Sequence, residues 1–236
     1  MRYAVYFTPR QTDDLARIAA AWLGRDPFGA TPPKRPEVPG LPAAEIASRT
    51  KDARRYGFHA TLKAPFRLAD DASEAELEEA VASLTERLNP LSLPLVAAEL
   101  DGFLALVPAA PAPALDQLAA EAVRTFDRFR APLGEAEIAR RKPETLSRAL
   151  RDNLHRWGYP YVFEAFQFHL TLTDRLPPEE RTRFRAAIDA LFGAALEQPL
   201  PVDGLALFVE PEPGADFTVK SWHAFPGRRD RKVASR

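Results

Sequence analysis

Cysteine is absent from the 236 residues, which removes disulfides, thiolate metal sites and cysteine nucleophiles from consideration. Net charge is nearly absent too. The 32 basic and 33 acidic residues leave a balance of −1, so there is no global footprint for a polyanion such as duplex nucleic acid, and any phosphate recognition has to be local. No apolar run reaches membrane-spanning length, and Met1-Arg2-Tyr3-Ala4-Val5-Tyr6-Phe7 meets Pro9 too early and is too aromatic for a signal peptide. The expectation is a cytoplasmic protein without a membrane partner. A Gly-x-Ser-x-Gly elbow and a glycine-rich phosphate loop are also missing, which argues against a serine-triad hydrolase and a nucleotide-binding loop.

What is present is a core-forming composition, 46% apolar and 10% aromatic, and one repeated pentapeptide. Phe58-His59-Ala60-Thr61-Leu62 in the first half is matched by Phe168-His169-Leu170-Thr171-Leu172 in the second, so two of the four histidines share a local frame. In a strand, residues two apart point the same way. Phe58, Ala60 and Leu62 then face a core while His59, Thr61 and Lys63 face a pocket; in the second copy Phe168, Leu170 and Leu172 oppose Gln167, His169, Thr171 and Thr173.

The surrounding patterns predict strand 3–7, a helix after residue 12 and an irregular loop at 24–40 that holds five prolines and is long enough for a functional flap or a tolerated insertion. A first motif strand at 56–66 precedes a helix opened by a capping box at Ser73. Strands at 91–97 and 100–107 follow, joined closely at Asp101-Gly102, then helices at 114–130 and 143–157, the second stopped by Gly158. A motif strand at 161–173, a helix at 178–192 and a hairpin of 205–210 with 217–225 complete the order. The two halves share a rhythm, which points to internal duplication: an α+β fold of two lobes, each an antiparallel-rich sheet backed by outer helices, about a central cleft with pseudo-two-fold symmetry. One bilobal domain is expected over 1–227, with a basic, disordered tail at 228–236.

Two imidazoles facing two hydroxyls suit phosphoester cleavage, one neutral imidazole taking a proton from the nucleophile and the other, protonated, donating to the leaving oxygen. Thr61 and Thr171 would donate to the non-bridging phosphoryl oxygens, and Lys63 would add positive charge. Zinc is the competing chemistry for two histidines, although neither motif brings an acidic ligand on its polar face and no thiolate exists. Either copy alone is also what an amphipathic strand exposing His and Thr looks like; two copies in phase favour a paired site. Tyr6, in phase with Ala4, is placed either in the cleft, stacking on a base or sugar, or in the core. Lys220, in phase with Thr218 and Trp222, is a weaker cleft candidate. His155 and His223 lack a threonine partner and are assigned to structure or surface, and Arg140-Arg141-Lys142 is either a second phosphate site or a solvated helix end.

The two His-x-Thr copies resemble those of the two-histidine (2H) phosphoesterase superfamily. RYAVYF at 2–7, WLGRD at 22–26, RRYGFHATLKAPF at 54–66, DRFRAP at 127–132, EAEIARR at 135–141 and WGYPYV at 157–162 resemble the bacterial branch associated with phosphonate-utilisation genes. The resemblance implies a bilobal fold, His59 and His169 as the acid/base pair and Thr61 and Thr171 as phosphate ligands; the lack of cysteine and of acidic ligands in the motifs adds the expectation of no metal, and no other cofactor is expected. With the balanced charge, the resemblance leads to the expectation of a metal-independent phosphodiesterase that opens a small cyclic phosphate ester, a small-molecule substrate, with a sugar cyclic phosphate from phosphonate breakdown among the candidates. RNA ends and 2′,5′ linkages stand as alternatives, as does a nucleotide- or phosphate-binding module without turnover.

Overall fold

The computed structural model describes residues 1–227; the tail expected at 228–236 lies outside the described residues. In chain order the strands are β1 (Arg2–Phe7), β2 (Ala60–Phe66), β3 (Leu91–Leu93), β4 (Leu95–Leu100), β5 (Phe103–Pro108), β6 (Leu170–Thr171), β7 (Leu200–Val202), β8 (Gly204–Glu210) and β9 (Thr218–Ala224). The helices are α1 (Asp14–Leu23), α2 (Ala43–Ser48), α3 (Lys51–Tyr56), α4 (Glu74–Thr85), α5 (Pro113–Phe126), α6 (Glu135–Arg140), α7 (Arg148–Trp157) and α8 (Pro178–Leu196).

The strands form an antiparallel sheet in the order β2-β1-β8-β9, another in the order β4-β5-β6, and a short ribbon of β3 with β7. The ribbon shows how the halves relate. After each motif strand comes a helix (α4 or α8) and then a short strand, and these two short strands pair with each other, Ser92 opposite Pro201. Each hairpin that follows crosses over: β4-β5 joins the sheet of the second motif, and β8-β9 joins, through β1, the sheet of the first. The fold is α+β with two antiparallel sheets, as the sequence led us to expect.

Helices α4 and α5 pack on the first sheet, and α8, with α1 against it, packs on the second. Both motifs feed one continuous core, in which Phe58 and Phe168 are buried along with Leu62 and Leu172; burying each such ring contributes about 1.5–3 kcal/mol. Trp22 of α1 ties the halves together, its indole N–H donating to the Leu172 carbonyl at 2.8 Å. Strand β1 is central and buried on both faces. Tyr3, Val5 and Phe7 join the main core, while Ala4 and Tyr6 join a smaller cluster with Ala206, Phe208 and Phe217 on the other face.

Local chemistry accounts for the boundaries. Ser73 and Glu76 exchange hydrogen bonds as the capping box that starts α4. Asp101 and Gly102, both at positive φ (47° and 88°), form a two-residue turn that leaves Leu100 opposite Phe103. The expected 143–157 helix begins later: Pro143–Thr145 is a single 3-10 turn, and Ser147 caps α7. Helices α2, α3 and α6 were not predicted. The 24–40 segment is irregular as expected, but it is fixed to the scaffold. The Arg25 guanidinium donates to the carbonyls of Arg54 and Arg55 at 2.7 and 3.0 Å, and the Pro27 carbonyl accepts from Val219 N–H at 2.8 Å.

The largest departure is the second motif strand. In place of the expected 161–173 strand, a 3-10 turn at Phe163–Ala165 leads into a two-residue strand, β6. The alternating polarity of 167–173 is real, but β5 offers it pairing partners only at Ala105 and Leu106.

Candidate active site

Each motif histidine sits one residue before its strand and is held in the same way. His59 Nδ1 donates to the Gly57 carbonyl at 2.9 Å and His169 Nδ1 donates to the Gln167 carbonyl at 2.8 Å. A carbonyl only accepts, so both neutral rings carry their proton on Nδ1 and present a bare Nε2. Thr61 Oγ1 lies 3.3 Å from His59 Nε2 and donates to it. Gly57 makes the first arrangement possible: its φ is +77°, and a Cβ there would come within 2.7 Å of Pro27 Cβ.

Two adjoining cavities contain the motif side chains. One, of about 230 Å³, is lined by Thr61, Gln167 and His169 with the rings of Phe103, Tyr159 and Tyr161. The other, of about 200 Å³, is lined by His59 and Thr171 with Tyr56, Asp52 and Asp174. Phe103 and Arg175 line both. The motifs are thus crossed: the threonine of each faces the cavity that holds the histidine of the other. No residue of the 24–40 loop lines either cavity.

The histidine environments differ. The His59 ring stacks on Tyr6, centroids 3.9 Å apart and planes at 27°, with Tyr56 at 5.9 Å. Burial, opposed by the Gly57 bond and helped by His169, pushes its pKa from 6.5 down to about 4. His169 meets Phe103 at 5.7 Å, tilted, and is also lowered by burial, its bond to Gln167 opposing.

Of three further pocket expectations, that for Lys63 is overturned, that for Thr173 is narrowed, and Tyr6 takes the core one of its two readings. Lys63 does not share the face of Thr61. Thr61 lies opposite Tyr6 and Lys63 opposite Val5, so Leu62 is an extra residue, a β-bulge that reverses the phase of the strand. Lys63 is turned toward α5, 3% exposed, and its ammonium pairs with Asp127 at 2.7 Å. The second copy repeats the bulge. Leu172 and Thr173 N–H both reach the Leu104 carbonyl, a second bulge at the same place, and the Thr173 hydroxyl accepts from Leu104 N–H at 2.9 Å. Thr173 therefore forms cavity floor with its hydroxyl committed. Tyr6 has the predicted phase but is 1% exposed and lies beneath His59, which places its ring against the imidazole.

Lys220 pairs with Glu74 at 2.8 Å, and His223 Nε2 lies 2.9 Å from Ser221 Oγ; neither residue lines either cavity. His155 is exposed on α7. The Arg141 guanidinium lies over Tyr159, a cavity-wall ring, at 5.1 Å. Sequence reasoning missed Arg175, exposed, lining both cavities and without an ion pair among the described residues. Its position four residues after Thr171 was the available signal. Among the described residues, no group of three or more His, Asp or Glu side chains gathers as a metal cluster, and no helix is long and apolar enough to cross a membrane.

A family model described as protein of unknown function, DUF1045, matches residues 61–218. The chain belongs to the DUF1045 family. Two curated relatives are named ribose 1,5-bisphosphate phosphokinase PhnN. One, from Janthinobacterium sp. (strain Marseille), is 39% identical over 98% of this chain and 52% of its own length; the other, from Laribacter hongkongensis (strain HLHK9), is 42% identical over 92% and 50%. The chain thus spans about half the length of the curated relatives it matches. Solved structures align at low identity: a phosphoesterase at 14%, TM-score 0.40, covering 95% of this chain and 97% of that one, and E. coli LigT complexed with 3′-AMP at 15%, TM-score 0.38, covering 96% and 98%.

Proposed function

We propose that this DUF1045 chain is a phosphodiesterase that opens a small cyclic phosphate ester by His/His acid-base catalysis, without a resident metal. The observation that carries the reading is the crossed pair of motifs, each imidazole presenting Nε2 near a cavity that contains the other motif's threonine. His59, the more strongly held neutral, is the base. It takes a proton from water as the water oxygen bonds to phosphorus; the ring P–O bond breaks, and His169, protonated, gives its Nε2 proton to the leaving oxygen. The anionic substrate favours the charged form of His169. Thr61 and Thr171 donate to the non-bridging oxygens, and Arg175 offsets their charge.

The relatives support a particular substrate. A kinase named for ribose 1,5-bisphosphate needs a supply of that compound, and hydrolysis of a 5-phosphorylated ribose 1,2-cyclic phosphate at its P–O2 bond yields it. The rings of Phe103, Tyr159 and Tyr161 support a second reading, in which a nucleoside 2′,3′-cyclic phosphate, an RNA end or a 2′,5′ linkage stacks its base on them. The test is ³¹P NMR of the purified protein with ribose 1,2-cyclic phosphates, 2′,3′-cyclic nucleotides and a 2′,5′-linked dinucleotide, in the presence of chelator. Conversion of the ribose cyclic ester to a monoester, lost in His59→Ala and His169→Ala, is the expected result. Turnover only with added metal overturns the mechanism, and binding without turnover makes the protein a sensor.

A further inference from the structure

Helix α3 runs from Lys51 to Tyr56 and ends at Gly57, whose carbonyl orients His59. Six residues are too few to hold a helix unaided, and the start of this one lacks a local cap. The Thr50 hydroxyl donates instead to the Ile46 carbonyl at 2.8 Å. The cap comes from the other motif. Three residues past Thr171, the Asp174 carboxylate accepts from Lys51 N–H at 2.8 Å, Asp52 N–H at 3.0 Å and Ala53 N–H at 3.2 Å. Its own N–H donates to the Arg49 carbonyl at 2.7 Å. These bonds satisfy three backbone donors that a helix start leaves orphaned.

We propose that Asp174 is a positioning residue for His59: by gripping the start of α3 from the second motif, it sets the place of the Gly57 carbonyl at the other end of that helix. The tautomer and aim of one catalytic imidazole are thus fixed by the strand end that carries the other. The same helix brings Tyr56 to 5.9 Å from the His59 ring. Arg49, just before α3, makes a two-pronged ion pair with Glu180 of α8 at 2.7 and 2.6 Å, anchoring the segment to the second half independently of Asp174. The fold therefore has a hold on this segment without Asp174, and the carboxylate adds alignment.

The catalytic part of the inference rests on the proposed acid-base reaction; the positioning part does not, and the experiment separates them. Asp174→Leu removes every acceptor, whereas Asp174→Asn keeps one carbonyl oxygen. On a cyclic phosphate substrate, Asp174→Leu is expected to lower kcat about tenfold to a hundredfold, the scale of a misplaced catalytic group, with KM changing much less, and Asp174→Asn to recover most of the loss. In substrate-free ¹⁵N NMR, Asp174→Leu is expected to weaken or shift the His59 Nδ1 proton signal while that of His169 persists. If Asp174→Leu does not fold, Asp174→Ala, which likewise lacks a side-chain acceptor, supplies the same comparison. A His59 signal unchanged in the variant overturns the proposal, as does equal disturbance of both histidines. A disturbed His59 signal in a protein without turnover keeps the positioning role and overturns the catalytic reading.

Discussion

His59 rests on the Tyr6 ring at 3.9 Å, whereas His169 meets Phe103 tilted at 5.7 Å. Both rings donate from Nδ1 to the carbonyl two residues earlier, so the difference arises outside the motif. Strand β1 sets Tyr6 opposite Thr61 beside the first copy, whereas in the second sheet β5 sets the small Ala105 opposite Thr171. A duplicated element thus gives two chemically unequal histidines: one enclosed by rings and held neutral, the other less tightly packed and better placed to carry a proton. An acid-base pair needs that inequality.

The comparison can be broken most severely at the histidines themselves. His59→Ala and His169→Ala should each lower kcat by about 10²–10⁴, the usual range for a lost general acid or base; full activity in either variant removes the pair. The two bulges can be compared by stability. Asp127→Ala strands the buried Lys63 ammonium and should cost about 3 kcal/mol in urea unfolding, while Lys63→Met, which removes the charge with its burial cost, should cost less. Thr173→Val, which leaves only Leu104 N–H without its acceptor, should cost about 1–2 kcal/mol.

Smaller effects are read in pH. Tyr6→Leu thins the packing over His59 and should move the acid limb of kcat/KM upward, toward 6.5, whereas Phe103→Leu should leave that limb in place. Both histidines bind their proton more weakly when folded than when unfolded. Between His59's folded value of about 4 and its ordinary 6.5, the unfolded chain holds more protons. Stability should therefore be fully present above 6.5 and fall as pH drops toward about 4; denaturant titrations across that window check the sign, and no decline would show the rings to be solvated.

Much of this was legible before any coordinates. Strand parity put His59 with Thr61 and Tyr6 with Ala4 on the right faces, because alternation is a property of the backbone itself. The same parity failed one step later in both copies. A bulge depends on the partner strand's register, which a single strand's letters do not encode, so Lys63 was assigned to a face it does not occupy, and Thr173, at the cavity floor, has its hydroxyl committed to Leu104 N–H. Phe103, Tyr159 and Tyr161 were out of reach for a related reason: they come to the site through the β5-β6 pairing and the turns after α7. Helix α3 was missed because its cap, Asp174, lies far away in sequence.

The central claim is the inequality of the two motif histidines, and ¹⁵N NMR titration of both imidazoles in the substrate-free protein tests it most directly. The account predicts that both start as Nδ1–H tautomers and that His169 takes up its proton first on acidification, His59 staying neutral until about pH 4. Identical titrations, or a His59 that protonates before His169, would contradict it.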